Sequence, residues 1–442
     1  DTQTHQLFIM GMSNMSRSFR YHRISAGLII LLLGVLACSK AFTDSQDIPE
    51  SPPVTGIGLE SFDRIITGIM GEYAIPGGSL AVVKDGRLVV ARGYGYSDVD
   101  AGEPVQPESL FRICSITKPI TAVTVMKLVE EGLLDLDSPA FPYLDHLSGP
   151  PGTTPDPRLA TITIRQLLNH SGGWDREGSF DPMFIPVTAA QAMGEAPPAD
   201  AETVIRYMLG QPLDFDPGTR YAYSNFGYNV LGRIIEQVTS REYEEYVKEH
   251  VLAPAGITRV QKGRTLLEDR AEGEVLYYHY PGAGLASSVF PELPGEVLWP
   301  YGGFHLEAMD SHGAWIGSAI DLVRFATAVD LHASRPDILQ EESIREMIER
   351  PGPPLWQDST YYYALGWLVR PITGEANWWH TGGLPGSRTI LVRTYHGMAW
   401  AALFNMRPEQ PSDFMNDIDR GIWEAVGEVV QWPSHDLFDQ YP

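Results

Sequence analysis

Ser115 and Lys118 are the two residues whose types and spacing point most directly to chemistry in this chain. They lie three positions apart, so in a helix their side chains share one face of its first turn. A serine hydroxyl attacks a carbonyl carbon only when a base takes its proton, and a neutral lysine amine can be that base. No other lysine of the chain lies three residues after a serine. The pair therefore predicts a nucleophile with a built-in base.

Two further segments, 223–225 (Tyr-Ser-Asn) and 380–383 (His-Thr-Gly-Gly), carry groups that would complete such a site. Burial and the positive end of a helix dipole both disfavour an ammonium at Lys118, which predicts a lowered pKa for this amine. A phenol beside a cationic lysine can also act as a base, so Tyr223 could relay a proton between Ser115 and a leaving group. The residues alone leave open whether Lys118 or Tyr223 is the resting base.

The ordered set S-x-x-K, Y-x-N and H-T-G resembles that of the penicillin-recognising serine hydrolases. These include class C β-lactamases, D-Ala-D-Ala carboxypeptidases and the β-lactamase-like family VIII esterases. The resemblance covers about residues 58 to 430. It implies an α/β (α+β) fold of the β-lactamase/transpeptidase type. In this fold one antiparallel sheet, made by the N- and C-terminal segments, is flanked by helices and carries a helical insertion.

The same resemblance implies roles for the remaining motif residues. Asn225 would hold Lys118 and the substrate. His380, Thr381 and Gly382 would line the opposite wall, and the backbone N–H groups of Ser115 and Gly383 would form an oxyanion hole.

Two departures from the family pattern bear on the substrate. Class C enzymes usually carry lysine where this chain has His380, and many relatives carry serine or threonine where it has Gly383. A mostly neutral imidazole and a missing hydroxyl weaken the grip on a substrate carboxylate, which penicillins and D-alanyl peptides carry and esters need not. Arg388 is either a replacement carboxylate clamp or a surface charge.

These observations favour a serine hydrolase that cleaves carboxylic esters through a Ser115 acyl-enzyme, without cofactor or metal. The first alternative is a β-lactamase or a D-alanyl carboxypeptidase or D-amino-acid peptidase on the same scaffold. The second is a non-catalytic cell-wall or partner-binding protein. The sequence contains no G-x-S-x-G elbow, no H-E-x-x-H or spaced Cys/His cluster and no P-loop, which disfavours other hydrolase and nucleotide-binding classes.

Several further residues near the motifs are candidates for the site. Cys114 directly precedes Ser115 and is either a small packing residue or an alternative nucleophile. The side chains expected to form pocket walls are Trp174, Tyr280, His312 and Trp315.

The N-terminal residues predict export. An arginine-bearing stretch precedes an apolar run at 24–36, and both fall within a predicted signal segment at 1–37, of which residues 1–11 are interpreted as upstream or tag sequence. Cys38 follows Val-Leu-Ala and resembles a lipobox cysteine. The prediction is a bacterial envelope lipoprotein that faces the periplasm or sits at the outer membrane, attached to the membrane through Cys38. The alternative is a signal anchor.

Charge and chain organisation limit the other options. The formal net charge is −24, from 56 acidic and 32 basic residues, which argues against a nucleic-acid partner. We expect a tether at 38–57, a hydrolase domain at 58–430 and a C-terminal tail at 431–442. Strand patterns near both ends of the domain and helical patterns between them predict a sheet formed by both ends, with a helical insertion at about 133–350.

Overall fold

A computed structural model describes residues 53–441 of the chain. The predicted signal segment, the lipidation site Cys38 and most of the predicted tether lie outside the described residues. In chain order, the α-helices are α1 (Glu60–Glu72), α2 (Thr117–Glu130), α3 (Ile164–Leu168), α4 (Pro186–Met193), α5 (Ala201–Met208), α6 (Asn225–Thr239), α7 (Tyr243–Val247), α8 (Ala319–Thr327), α9 (Glu341–Met347) and α10 (Pro411–Glu428).

The strands fall into one large sheet and several short pairings. In chain order they are β1 (Val54–Ile57), β2 (Gly77–Lys84), β3 (Arg87–Asp98), β4 (Glu103–Pro104), β5 (Phe111–Arg112), β6 (Gln261–Lys262), β7 (Tyr278–His279), β8 (Ala286–Ser287), β9 (Glu296–Val297), β10 (Trp315–Gly317), β11 (Tyr362–Tyr363), β12 (Leu368–Ile372), β13 (Glu375–Leu384), β14 (Ser387–Thr394), β15 (Met398–Phe404) and β16 (Met406–Arg407).

The large sheet joins the two ends of the described chain. Its strand order is β1-β3-β2-β15-β14-β13-β12-β11, with β4 on β3, and every pairing in it is antiparallel. The central junction is β2 against β15, so a strand near the start pairs with one near the end. The expected sheet built from both ends, with helices inserted between them, is confirmed.

Helices cover both faces of this sheet, which explains why its central strands are almost wholly apolar. Alternate residues of β2 point to opposite sides. Leu80 and Val82 pack in a core cluster with α1 and α10, whereas Ala81 and Val83 belong to the larger cluster that includes α2 and α8. The catalytic motifs lie on the α2 side of the sheet. Among the described residues, no helix has both the length and the apolar character needed to cross a membrane.

Short sequence patterns correctly predict several turns and helix starts. Asp85 and Gly86 connect β2 to β3 as the predicted hairpin. Ser318 caps α8 in a capping box with Asp321, as its sequence predicts. The residues from Tyr363 to Arg370 have the pattern of one strand, but the structure divides them between β11 and β12, because the chain turns through Gly366. A Cβ there would lie 2.5 Å from Cβ of Ala122 in α2.

Both predicted domain boundaries differ from the structure. The ordered fold begins before residue 58, since β1 at Val54–Ile57 pairs with β3 and extends the sheet. The expected tail at 431–442 is also part of the fold. Leu437 and Phe438 are buried in the larger core cluster, and Asp436 accepts a hydrogen bond from the backbone N–H of Leu88. Both errors concern short segments whose place in the fold depends on contacts with residues far away in sequence.

Candidate active site

A tight turn presents Ser115 at the start of α2. Residues Cys114–Ile116 form a single 3₁₀ turn that runs directly into this helix. Cys114 has a φ of +53°, a left-handed conformation that is uncommon for a residue with a side chain. The bend leaves Ser115 half-buried, while its neighbours Cys114 and Ile116 are fully buried. The nucleophile is therefore the accessible residue of an otherwise buried turn.

Two other strands hold this turn in place. The backbone N–H of Ile113 donates to the carbonyl of Trp315 in β10, at 2.9 Å. Thr389 Oγ1 in β14 donates to the carbonyl of Ile113 at 3.0 Å, and Ser387 Oγ donates to that of Arg112 at 2.9 Å. Since these contacts come from residues about 200 to 280 positions away in sequence, the fold as a whole fixes the turn.

Lys118 makes three polar contacts, all with oxygen atoms. Its Nζ lies 3.1 Å from Ser115 Oγ, 2.8 Å from Asn225 Oδ1 and 3.0 Å from the carbonyl oxygen of His312. Both carbonyl oxygens can only accept hydrogen bonds, so a neutral amine would donate its two N–H groups to them and turn its lone pair toward Ser115. The side chain is fully buried, and burial holds the pKa of Lys118 well below its usual range. The amine is arranged as a base.

The start of α6 positions Tyr223 and Asn225. Ser224 is the N-cap of this helix, and its hydroxyl accepts a hydrogen bond from the N–H of Gly227 at 3.2 Å. Asn225 is the first helical residue. Its Nδ2 donates to Asp181 Oδ2 at 2.6 Å, which orients its Oδ1 toward Lys118. Asp181 thus sets which way the amide of Asn225 points.

Tyr223 lies between the amine of Lys118 and the guanidinium of Arg176. Lys118 Nζ is 4.8 Å from the centre of its ring and the guanidinium carbon of Arg176 is 4.6 Å from it. Burial raises the pKa of Tyr223 to about 12, although Arg176 and a hydrogen bond with Ser115 act in the opposite direction. The phenol is therefore protonated at neutral pH and is suited to donate a proton.

His380 is buried and uncharged. Its Nδ1 donates to the carbonyl of Thr381 at 2.7 Å, so Nε2 accepts from the hydroxyl of Tyr363 at 3.0 Å. Burial, and secondarily the nearby Lys118, lower the pKa of His380 to about 3. The third motif therefore contributes no positive charge at neutral pH.

Strand β13 lies directly against the nucleophile turn at Gly382. A Cβ at this position would lie 2.1 Å from Thr389 Oγ1, 2.5 Å from the carbonyl oxygen of Ile113 and 2.8 Å from Cys114 Cβ. These distances are too short for any side chain, so glycine is required for the strand to approach Ser115. Thr381 and Gly383 flank this contact and are half-buried.

Arg388 lies beside Gly383. Its Nη1 donates to the carbonyl of Gly382 at 3.1 Å, and its Nε donates to that of Pro411 at 3.3 Å. A Cβ on Gly383 would be only 2.7 Å from this Nη1. Burial lowers the pKa of Arg388 to about 10, so it remains a cation at neutral pH. The half-buried side chain folds back over the strand that carries the third motif, and both interpretations of Arg388 stay predictions.

The four residues predicted as pocket walls differ in what they contact. His312 contributes its backbone carbonyl to Lys118, while its ring is buried. Trp315 likewise holds the turn through its carbonyl, and its ring packs on Tyr243 in the core. The Trp174 ring is 5% exposed and packs edge-on against Phe226, and Tyr280 packs on the second core cluster. Trp174, His312 and Trp315 are buried, and their role as pocket walls stays a prediction.

Cys114 is unsuited to act as the nucleophile. Its thiol is completely buried, and burial raises its pKa to about 11. A protonated, inaccessible thiol cannot attack a substrate. The packing interpretation fits the structure.

Arg176 and Asp181 are site residues that the sequence reasoning missed. Both belong to the segment between α3 and α4, which has no regular helix or strand apart from one short turn at Pro182–Phe184. Asp181 caps that turn, accepting from the N–H of Met183 at 3.2 Å, so an Asp-Pro cap signal was present in the sequence. Nothing local indicated that the same carboxylate also reaches Asn225.

Among residues 53–441, no group of three or more His, Cys, Asp or Glu side chains is arranged to hold a metal ion. The polar groups around Ser115 are instead those of amine, phenol and amide chemistry.

Comparison with known proteins agrees with this geometry. The family model described as Beta-lactamase matches residues 62–421. Protein flp of Staphylococcus aureus (strain N315) is 27% identical over 361 residues, which cover 80% of this chain and 65% of that protein. Penicillin-binding protein 4* of Bacillus subtilis (strain 168) is 27% identical over 388 residues, covering 83% and 75% of the two chains. This chain therefore spans less than two thirds of the length of flp.

A solved structure gives the same result. The D-amino acid amidase from Ochrobactrum anthropi SV3, in complex with D-phenylalanine, is 25% identical and has a TM-score of 0.61, covering 83% of this chain and 99% of that chain. The predicted fold class and the family resemblance are both confirmed.

Proposed function

Because the chain belongs to the beta-lactamase family, whose members are serine hydrolases, we propose that it hydrolyses small carboxylic esters through an acyl-enzyme on Ser115. The observation that carries this proposal is the position of Lys118 Nζ. It lies 3.1 Å from Ser115 Oγ, while two carbonyl oxygens occupy its N–H groups. A buried amine held in this way takes a proton from serine without first having to lose one to solvent.

The groups present account for each proton in the reaction. Lys118 takes the proton of Ser115 as Oγ bonds to the ester carbonyl carbon. The negative charge on the carbonyl oxygen is then held by the N–H groups of Ser115 and Gly383. Tyr223 gives its proton to the departing alkoxide as the C–O bond breaks, and Lys118 returns a proton to Tyr223. A water molecule repeats the sequence on the acyl-enzyme, releasing the acid and restoring the Ser115 hydroxyl.

The neutral third motif supports an ester as substrate. With a pKa of about 3, His380 offers no cation at neutral pH to a substrate carboxylate. An ester with a neutral leaving group does not need one.

A second candidate is hydrolysis of D-amino-acid amides, D-peptides or β-lactams. The observation that favours it is Arg388, a cation whose Nη1 lies beside Gly383 and could meet a substrate carboxylate. The names of the penicillin-binding protein and D-amino acid amidase relatives point the same way.

One experiment separates the candidates. We would compare kcat/KM for a short-chain p-nitrophenyl ester, D-phenylalanine amide and a chromogenic cephalosporin, with Ser115→Ala as the control. We expect the ester to be preferred by orders of magnitude and Ser115→Ala to lose at least about a thousandfold in activity. Preference for the cephalosporin or the amide would favour the second candidate. If Ser115 reacted with no acylating probe, the protein would be a binding protein.

We also propose that the protein is an exported lipoprotein of a bacterial envelope, attached through Cys38. The support is the arginine-bearing stretch, the apolar run at 24–36 and the lipobox-like residues before Cys38. Labelled fatty acid should be incorporated into the full chain in a bacterial host and should be absent from Cys38→Ala. Labelling of both would contradict the assignment.

A further inference from the structure

Arg176 and Asp181 place two opposite charges next to the base. Arg176 and Lys118 both lie against the ring of Tyr223, with the guanidinium carbon 4.6 Å and the amine nitrogen 4.8 Å from its centre. The guanidinium and the amine are therefore within about 10 Å of each other, no further than the screening length of ordinary salt. Asp181 is joined to the same unit through Asn225 Nδ2, at 2.6 Å.

The other titratable groups facing the amine and the phenol are uncharged at neutral pH. The imidazoles of His170, His312 and His380 have pKa values lowered by burial. Burial raises the pKa values of the phenols Tyr221, Tyr228 and Tyr363 and of the Cys114 thiol. Arg388 is a cation that acts electrostatically on Tyr223. It lies on β14, where its guanidinium donates to the carbonyls of Gly382 and Pro411.

Arg176 also differs from Arg220, a cation in the loop between α5 and α6. Arg220, the nearest comparison, pairs with Asp175 at 2.8 Å and stacks on Phe215, away from Tyr223. Arg176 instead contacts only the exposed carboxylate of Glu177, at 3.3 Å, while its guanidinium covers the catalytic phenol. This contact is made by Nε, and 35% of the Arg176 side chain remains exposed.

We propose, building on the proposed function, that Arg176 is an electrostatic positioning residue. Its charge keeps Lys118 ready to accept the proton of Ser115, and Asp181 opposes that charge while orienting Asn225. Because His380 is neutral, Arg176 supplies the positive charge that lies against the Tyr223 ring. The burial-lowered pKa of Lys118 is lowered further by Arg176 and raised by Asp181.

The two charges predict pH shifts of opposite sign. Removing the cation in Arg176→Gln raises the pKa of Lys118, so the acid limb of the rate profile moves to higher pH, by roughly 0.5 to 1 unit. Arg176→Lys keeps the charge and should restore most of the wild-type limb. Asp181→Asn removes the opposing charge and moves the limb to lower pH, with a loss of rate because Asn225 is less firmly oriented. A merely structural role would not reverse the sign.

The measurement is the rate constant for labelling Ser115 with a fluorophosphonate, read by intact mass across the acid limb, together with kcat/KM for the ester. The matched control is Arg220→Gln, whose limb should coincide with that of the wild type. The inference would be overturned if the acid limbs of Arg176→Gln and Asp181→Asn coincided with that of the wild type, or if both shifted in the same direction. The proposed function would still stand. A wild-type Ser115 that the probe does not label would overturn the proposed function and, with it, the inference.

Discussion

At the scale of single residues, the site depends on the protonation states that burial imposes. Burial lowers the pKa of Lys118, keeps the phenol of Tyr223 protonated at neutral pH and leaves the imidazole of His380 uncharged, because each has lost most of its contact with water. The question that the sequence left open, whether the resting base is the amine or the phenol, therefore has a proposed answer. Lys118 takes the first proton and Tyr223 supplies the second.

The pH dependence of the reaction should reveal this arrangement. The base is active when neutral, so activity is lost as pH falls through the lowered pKa of Lys118. Above that lowered pKa, kcat/KM should be flat with rising pH. An unburied lysine, with its ordinary pKa of 10.5, would instead give a rate that rises steadily up to that pH. A continued rise in kcat/KM toward pH 10.5 would contradict the assignment of Lys118 as base.

Lys118 and Tyr223 should behave as one unit. Lys118→Ala and Tyr223→Phe should each lower kcat by about 10² to 10⁴-fold, because either change interrupts the same proton transfer. The double variant should be hardly slower than the worse single one, as measured by single-turnover ester hydrolysis. Losses that multiply would mean that the two residues act independently. Unchanged melting temperatures would show that the single variants remain folded.

At the scale of elements, the close contact of β13 with the nucleophile turn is the critical packing feature. Gly382 allows the approach, and Thr389 and Ser387 of β14 join the two through hydrogen bonds to the turn carbonyls. The third motif therefore needs glycine at position 382 because the neighbouring atoms leave no room for a side chain. Its position opposite Ile113 and Cys114 leaves no volume for a methyl group.

Gly382→Ala should separate the strand from the turn. The new Cβ would overlap backbone and buried atoms, so we expect a destabilisation of about 1–3 kcal/mol and a drop in kcat with little change in KM. The matched control is Gly68→Ala in α1, where no atom lies within 4 Å. This change should raise stability by about 0.5–1 kcal/mol, since alanine favours a helix. Urea unfolding and ester kinetics would measure both, and a Gly382→Ala variant as active and stable as wild type would exclude this packing role.

At the scale of the whole molecule, both ends of the described chain close the fold. β1 extends the sheet past β3, and the segment at Leu437–Gln440 packs into the larger core cluster. Two guanidinium groups, Arg324 and Arg335, lie 4.6 and 4.4 Å from the ring centre of Phe438. The C-terminal segment therefore contributes to stability although it is more than 50 residues from the third motif.

Phe438→Ala tests that contribution. Loss of a buried phenyl ring should cost about 3–5 kcal/mol, visible as a lower melting temperature and a lower urea midpoint. Val430→Ala is the matched control, because Val430 is fully exposed and its truncation should leave stability within about 0.5 kcal/mol. Equal effects of the two changes would mean that the segment is not packed as described.

The sequence by itself determined the features that depend on near neighbours and on periodicity. The spacing of Ser115 and Lys118, the Asp85-Gly86 hairpin and the Ser318 capping box each involve residues within four positions of one another. Strand patterns at both ends of the chain were enough to predict the antiparallel sheet and its helical insertion, because one chain must bury both sets of apolar residues in a common core.

Only the tertiary structure determined which side chains of the site are charged and which residues belong to the site and to the fold. Burial makes His380 neutral. Arg388 donates a hydrogen bond to the carbonyl of Gly382, and Arg176 lies against the ring of Tyr223, a partner far away in sequence. Dependence on burial and on distant partners holds equally for Asp181, for the buried rings of Trp174 and Trp315 and for the inclusion of β1 and Phe438 in the fold. Desolvation and long-range packing have no local signature, so these properties exist only once the chain is folded.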